Sequence, residues 1–246
     1  MDMLLLVIAV FIFAGLVKGT LGLGLPTVAM GLMSMVISPF QAAALLIVPS
    51  MITNIWQLFA EGKVWALIQR FWSLLLGIVL GTCWSFLPTL SASSGKTSEM
   101  LLGGMLIACG GFGLFVKQLP DLSRHAGWLS PIVGYIGGAL IVSTGVIIIP
   151  AVPYLQSLRL KRDELVQSLG LVFTFSTVCL AIYLYLYTGA SSVVDYRLAW
   201  LAVLPALLGM WWGQKIRYKI AEEKFRRLFF VGLMLLGLYM LGSPLT

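Results

Sequence analysis

Charge is scarce in this chain. Of 246 residues only 10% are Asp, Glu, Lys or Arg, against about 25% in an ordinary soluble domain. The nine acidic residues fall in loops or at the ends of apolar runs. No run therefore holds a carboxylate pair for acid–base catalysis, nor an embedded acid to relay protons. Histidine occurs once, as His125 in a polar loop, and the three cysteines, Cys83, Cys109 and Cys179, are scattered through apolar runs. Neither a metal site nor a disulfide framework fits that spacing. An enzyme, a metal and an organic cofactor are all without a motif here.

Apolar residues are abundant. Hydrophobic residues make up 60% of the chain and the mean hydropathy is +1.00, a composition expected of an all-α polytopic membrane protein. The formal net charge of +7 does not point to nucleic acid, because the basic residues sit in short loops where cytoplasmic orientation accounts for them. Ahead of Leu4 there is Asp2 and no Lys or Arg. The first apolar run thus lacks the basic flank of a signal peptide and is expected to stay in the protein.

The most informative stretch is Phe13 to Pro26, a Gly-rich break carrying Lys18 between two apolar runs, Met3 to Val17 and Thr27 to Ile37. Each run is shorter than the roughly 20 residues that cross a hydrocarbon core. They are expected to form two half-helices of a re-entrant hairpin over residues 3–37. Residues 128–158 repeat the pattern, with a Gly-rich break from Gly134 and then Ser143, Thr144 and Gly145. Aligning Gly15 and Gly19 with Gly134 and Gly138 also aligns Leu21 with Leu140. Three apolar spans follow each hairpin: 41–60, 65–87 and 100–116 in residues 1–120, then 165–187, 198–213 and 228–241 in residues 121–246.

Loop charges choose between topologies. With both hairpins re-entrant, Lys63, Arg70, Lys117, Arg124, Arg159, Lys161 and Arg162 share a face with the basic stretch from Lys215 to Arg227, leaving Lys96 and Arg197 opposite. That face is cytoplasmic. Three crossings per half then set the two halves in opposite orientations, an inverted repeat.

A half-helix N-terminus presents free N–H groups and the positive end of a dipole, so it attracts anions. Pro26 suits the first turn of one outgoing half-helix, and Ser143 or Thr144 suits the N-cap of the other. Lys18 has no acid in the spans to neutralise it, which makes a small anionic substrate the expected counter-charge. The candidate site comprises Lys18, Gly22, Gly24, Thr27, Pro49, Thr53, Asn54, Gln57, Ser143, Thr144, Gly145 and Thr174. Each has a plainer reading. The glycines serve packing and turns, Pro49 kinks its helix, and Thr53, Asn54 and Gln57 bridge helices. A membrane assembly or chaperone protein whose hairpins only pack stands as the alternative to a transporter.

Three features, Gly15-x-x-Lys18-Gly19-x-x-Gly22-x-Gly24-x-Pro26, Pro49-x-x-x-Thr53-Asn54-x-x-Gln57 and the second break ending in Ser143-Thr144-Gly145, resemble the TauE/SafE sulfite exporter family of bacterial membrane transporters. The resemblance implies a multi-pass protein of the bacterial plasma (inner) membrane that moves sulfite, sulfonates or related organic anions. The second break departs from the family's more Gly-rich form, with Ile141 and Val142 ahead of Ser143.

Overall fold

The computed structural model describes residues 3–59, 62, 64–90, 95–116, 119–188, 196–217 and 222–242. The expected loop residues Glu61, Lys63, Lys117 and Lys219 lie outside that set, as do Ser94 and Ser192. Among the described residues there are helices and no strand. The first half contains α1 (Met3–Leu21), α2 (Leu25–Met33), α3 (Pro39–Leu58), α4 (Val64–Cys83) and α5 (Gly95–Phe115). The second contains α6 (Ala126–Thr144), α7 (Ile148–Ser157), α8 (Arg162–Thr188), α9 (Tyr196–Leu201), α10 (Val203–Arg217) and α11 (Glu222–Gly242). Seven helices among the described residues are long and apolar enough to cross a membrane. The outward surface of the protein carries Trp56, Trp65, Trp72, Trp84, Trp128, Trp200, Trp211 and Trp212, each at least half exposed, a surface suited to lipid. The chain is an all-α multi-pass membrane protein.

Local chemistry explains most helix ends. Ser38 caps α3 in a reciprocal capping box: its hydroxyl accepts from the Gln41 N–H and its own N–H donates to Gln41 Oε1, both at 3.3 Å, so two free donors are satisfied at once. Pro205 ends α9, because a proline lacks the N–H for the next turn and crowds the carbonyl four residues back. The fifth expected span, 198–213, is therefore two pieces joined at Ala202.

Both breaks depart from the expected boundaries. Helix α1 continues through Gly15, Lys18 and Gly19 to Leu21, and α6 runs on through Ser143 and Thr144. Each is 19 residues, about 28 Å at 1.5 Å per residue and long enough to cross the core. Their returns, α2 with 9 residues and α7 with 10, reach about half that. Each hairpin is thus one long and one short helix rather than two halves. The cause is packing: Gly15 and Gly19 lie directly on the backbone of α10 at Ala206 and Met210, and a Cβ at either would collide with a carbonyl oxygen. Such close approach rewards a continuous helix there.

That seam is reciprocal, since Gly209 and Gly213 of α10 press on Ile12 and Leu16 of α1. A second seam has the same form: Gly134 and Gly138 of α6 lie on Leu74 and Ile78 of α4, while Gly77 and Gly81 lie on Pro131 and Tyr135. Exchanging the two halves carries one seam onto the other. In both seams the paired helices run parallel. Helices α3 and α8 instead run antiparallel, with Gln167 Nε2 donating to the Leu58 carbonyl (2.9 Å) and Asn54 Nδ2 to Thr177 Oγ1 (3.4 Å). Helices α5 and α11 are antiparallel too, Gly103 facing Gly237 and Gly110 facing Met234.

A cavity between two broken helices

The first break is Gly22-Leu23-Gly24. Both glycines have left-handed backbone, φ 77° and 102°, which residues with a Cβ adopt at a cost. Gly24 also has no room for a side chain, since a Cβ would lie 3.1 Å from the Phe229 ring. The break is pinned by Gln57, whose Nε2 donates to the Gly22 carbonyl (3.0 Å) and the Val166 carbonyl (2.8 Å). One turn earlier Lys18, 1% exposed, donates from Nζ to Thr53 Oγ1 (3.1 Å) and to Asn54 Oδ1. Both partners are neutral. An ammonium withdrawn from water costs several kcal/mol unless charge compensates it, so this position is electropositive and uncompensated by Thr53 and Asn54.

The second break is formed differently. Gly145, with φ 73°, ends α6 by a left-handed turn, its N–H donating to the Ile141 carbonyl at 2.8 Å. Ser143 and Thr144 therefore sit in the last turn of α6 and do not cap α7, correcting the expectation from sequence. Their hydroxyls donate to Ala139 and Leu140 of their own helix, both at 2.8 Å. Helix α7 starts after Ile147 without a side-chain cap, and the non-helical backbone of Ile149 (φ −101°, ψ 131°) interrupts its first turn. The N–H of Leu90, from the chain after α4, donates to the Val142 carbonyl at 2.8 Å and holds this end of α6 in place.

Between the breaks lies a cavity of about 20 Å³, room for about one water. The first turn of α2 contributes Pro26 and Thr27, and the second break contributes Gly145, Val146, Ile147 and Ile148. Ser50 of α3 and Ser176 and Thr177 of α8 complete its polar wall. Thr27 Oγ1 and Ser50 Oγ are buried and, like Ser34 Oγ and Gln57 Oε1 elsewhere, have no hydrogen-bond partner among the described residues. Orphaned hydroxyls inside a membrane protein are costly, and here two face one small space. Lys18 does not line the wall, but its partner Asn54 is bonded to Thr177, which does.

Of the residues singled out from sequence, Thr27 and Gly145 reach the cavity wall. Lys18, Thr53 and Asn54 form the polar cluster behind it. Gln57 and Gly22 belong to the pin of the first break, and Gly24 to its turn. Pro49, Ser143, Thr144 and Thr174 are not part of the wall; the Thr174 hydroxyl donates to the Gly170 carbonyl of its own helix (2.7 Å). Ser50 and Thr177 were missed. Their signal was faint: Ser50 follows Pro49, and Thr177 lies three residues beyond Thr174 on α8.

A small cavity with four hydroxyl-bearing residues in a largely apolar wall, lying between two chain breaks of a helical membrane protein, is an arrangement found in transporters. Comparison with known families agrees. The model of the sulfite exporter TauE/SafE family matches residues 7–240, and the chain belongs to that family. None of the curated proteins and none of the solved structures compared matches it.

Proposed function

We propose that this protein exports sulfite, a sulfonate or a related small organic anion across the bacterial plasma membrane through the cavity between its two breaks. The observation that carries this reading is the pair of orphaned hydroxyls, Thr27 Oγ1 and Ser50 Oγ, beside a buried lysine whose bonded partners are neutral. An oxyanion accepts hydrogen bonds from hydroxyls and from free N–H groups at helix starts, and it supplies the charge that Lys18 lacks. With room for about one water, the cavity admits such an anion only when the breaks part, as alternating access requires.

The two halves read as inverted copies. Supporting this are the antiparallel pairing of α3 with α8 and of α5 with α11, and the two glycine seams that exchange when the halves are exchanged. Loop charge then sets the face bearing Arg124, Arg159 and the α10–α11 connection inside the cell. Cysteines at Ser94 and Ser192 are expected to react with an impermeant thiol reagent from outside, and one at Glu222 from inside; reversed labelling overturns this topology.

The carboxylates and histidine that fall within the seven span-length helical segments, Glu99, His125, Asp163 and Glu164, lie near the helix ends rather than at depth, a poor placement for carrying a coupling proton. A negative-inside potential favours anion efflux by about 2.3 kcal/mol per charge per 100 mV, which suffices to drive export. In proteoliposomes at equal pH, labelled sulfite or sulfonate flux is expected to follow a potential clamped with potassium and valinomycin. Flux driven by a pH gradient and indifferent to potential would refute this coupling, and the absence of any anion flux would favour the assembly-protein alternative.

A further inference from the structure

A second cavity lies on the face of the basic α10–α11 connection. It measures about 150 Å³, and its walls come from the first break (Leu21, Leu23), the end of α5, one side of α7 and the start of α11. Two polar side chains reach it, Arg226 from α11 and Gln156 from α7, both exposed. Arg226 makes no hydrogen bond or ion pair among the described residues, whereas Arg70 is paired with Glu164. A guanidinium in a concave recess attracts oxyanions, because its fork of donors matches two oxygens and the concave walls focus its field. The recess and the cavity between the breaks share Ile148 in their walls.

We propose that this recess is a capture site for a small oxyanion on the cytoplasmic side, with Arg226 and Gln156 as its ligands and Ile148 as the shared wall past which the anion moves inward. The proposal rests on the transport reading above and adds a residue set to it. Three features separate it from a merely topological role for Arg226. The recess has the volume for an oxyanion that the inner cavity lacks. Its wall holds a neutral amide, Gln156, as well as the guanidinium. It is also bounded by the first break itself, through Leu21 and Leu23, so an occupant touches the element that must move.

The test uses the full chain with Cys83, Cys109 and Cys179 replaced by Ala and a single cysteine introduced as Gln156→Cys, or as Val116→Cys on the same wall should the first variant fail to fold. Inverted and right-side-out vesicles are treated with anionic and cationic methanethiosulfonates of similar size. Modification is expected from the cytoplasmic face, with the anionic reagent several-fold faster relative to its rate on a free thiol. Sulfate or methanesulfonate should slow it; sulfite is unsuitable because it cleaves the mixed disulfide formed. Arg226→Ala should erase the anion preference. Modification only from outside, no preference, or a preference that survives Arg226→Ala overturns the capture site.

Labelled sulfite flux distinguishes this failure from failure of the transport reading. Arg226→Ala should raise the half-saturating concentration on the cytoplasmic face by about tenfold with the maximal rate within about twofold, and Arg226→Lys should recover part of the loss. Unchanged saturation in Arg226→Ala, with an active parent, removes the capture site and leaves transport standing. Anion-selective labelling in a protein that moves no anion keeps the recess as an anion site and removes transport.

Discussion

At the first break, side chains bridge to other helices: Gln57 holds the Gly22 carbonyl, and Lys18 reaches Thr53 and Asn54. At the second, Ser143 and Thr144 donate to carbonyls of α6 itself, Thr144 Oγ1 also accepts from the Val146 N–H (3.3 Å) and reaches Met105 Sδ of α5 (3.3 Å), and Gly145 packs against the side chain of Met30. The two breaks share a backbone plan and differ in what anchors them. Moving the first would strip buried polar groups of partners, a cost of about 1–3 kcal/mol each. Moving the second would break fewer such bonds, the Leu90 N–H bond to the Val142 carbonyl and the Thr144 contact with Met105 Sδ, beside van der Waals contacts. From this difference the first break is expected to be the one that recognises charge.

The largest effect that bears on this contrast is expected at Lys18. Lys18→Ala should abolish labelled-anion flux in liposomes while insertion persists. Lys18→Met, which keeps the length and removes the buried charge, should be at least as stable as the parent in thermal unfolding yet equally inactive. Substantial flux in either variant breaks the assignment of charge recognition to the first break.

Next in size come the seams, where the halves should respond alike. Gly19→Val and Gly138→Val each force a side chain against a neighbouring backbone and should destabilise the fold by about 3 kcal/mol or more. The readout is the midpoint of thermal unfolding in detergent, and a large loss in one half alone would show that the seams are not equivalent.

Smaller and opposite in sign are the effects expected of the orphaned hydroxyls. Thr27→Val and Ser50→Ala remove buried groups that have no partner, so unfolding temperatures should hold or rise slightly, while flux falls about tenfold through loss of a hydrogen bond to a charged ligand. Lost stability with retained flux would make these hydroxyls structural. The smallest effect belongs to Ser143→Ala, whose hydroxyl only bonds its own helix; flux within about twofold of the parent is expected, and a severe loss would restore the second break to substrate recognition.

The apolar spans were legible because each is long and bounded by Pro, Gly or charge, and all six appear as helices, one of them divided at Ala202 by Pro205. The break positions were not. Gly15 and Gly19 looked like part of the first break because glycine signals either a turn or a close approach, and only the arrival of α10 decides which. Ser143 and Thr144 were misread for a related reason: a hydroxyl residue before a glycine fits the N-cap of the next helix as well as the last turn of the previous one. The cavity was half legible. Thr27 followed from Pro26 and the helix start, whereas Ser50 gained meaning only from the absence of a partner in three dimensions.

The glycine seams also bear on the order of events during synthesis. Helix α4 meets α6 soon after both emerge, but α1 must wait for residues 206–213, about 190 positions later, roughly 10–40 s at ordinary rates of elongation. Meanwhile its glycine stripe faces lipid or a provisional neighbour. Lys18 waits far less, because Thr53 and Asn54 arrive about 35 residues after it. The nascent chain can therefore settle its one deep charge early, and it closes its first helix against the second half only when nearly complete.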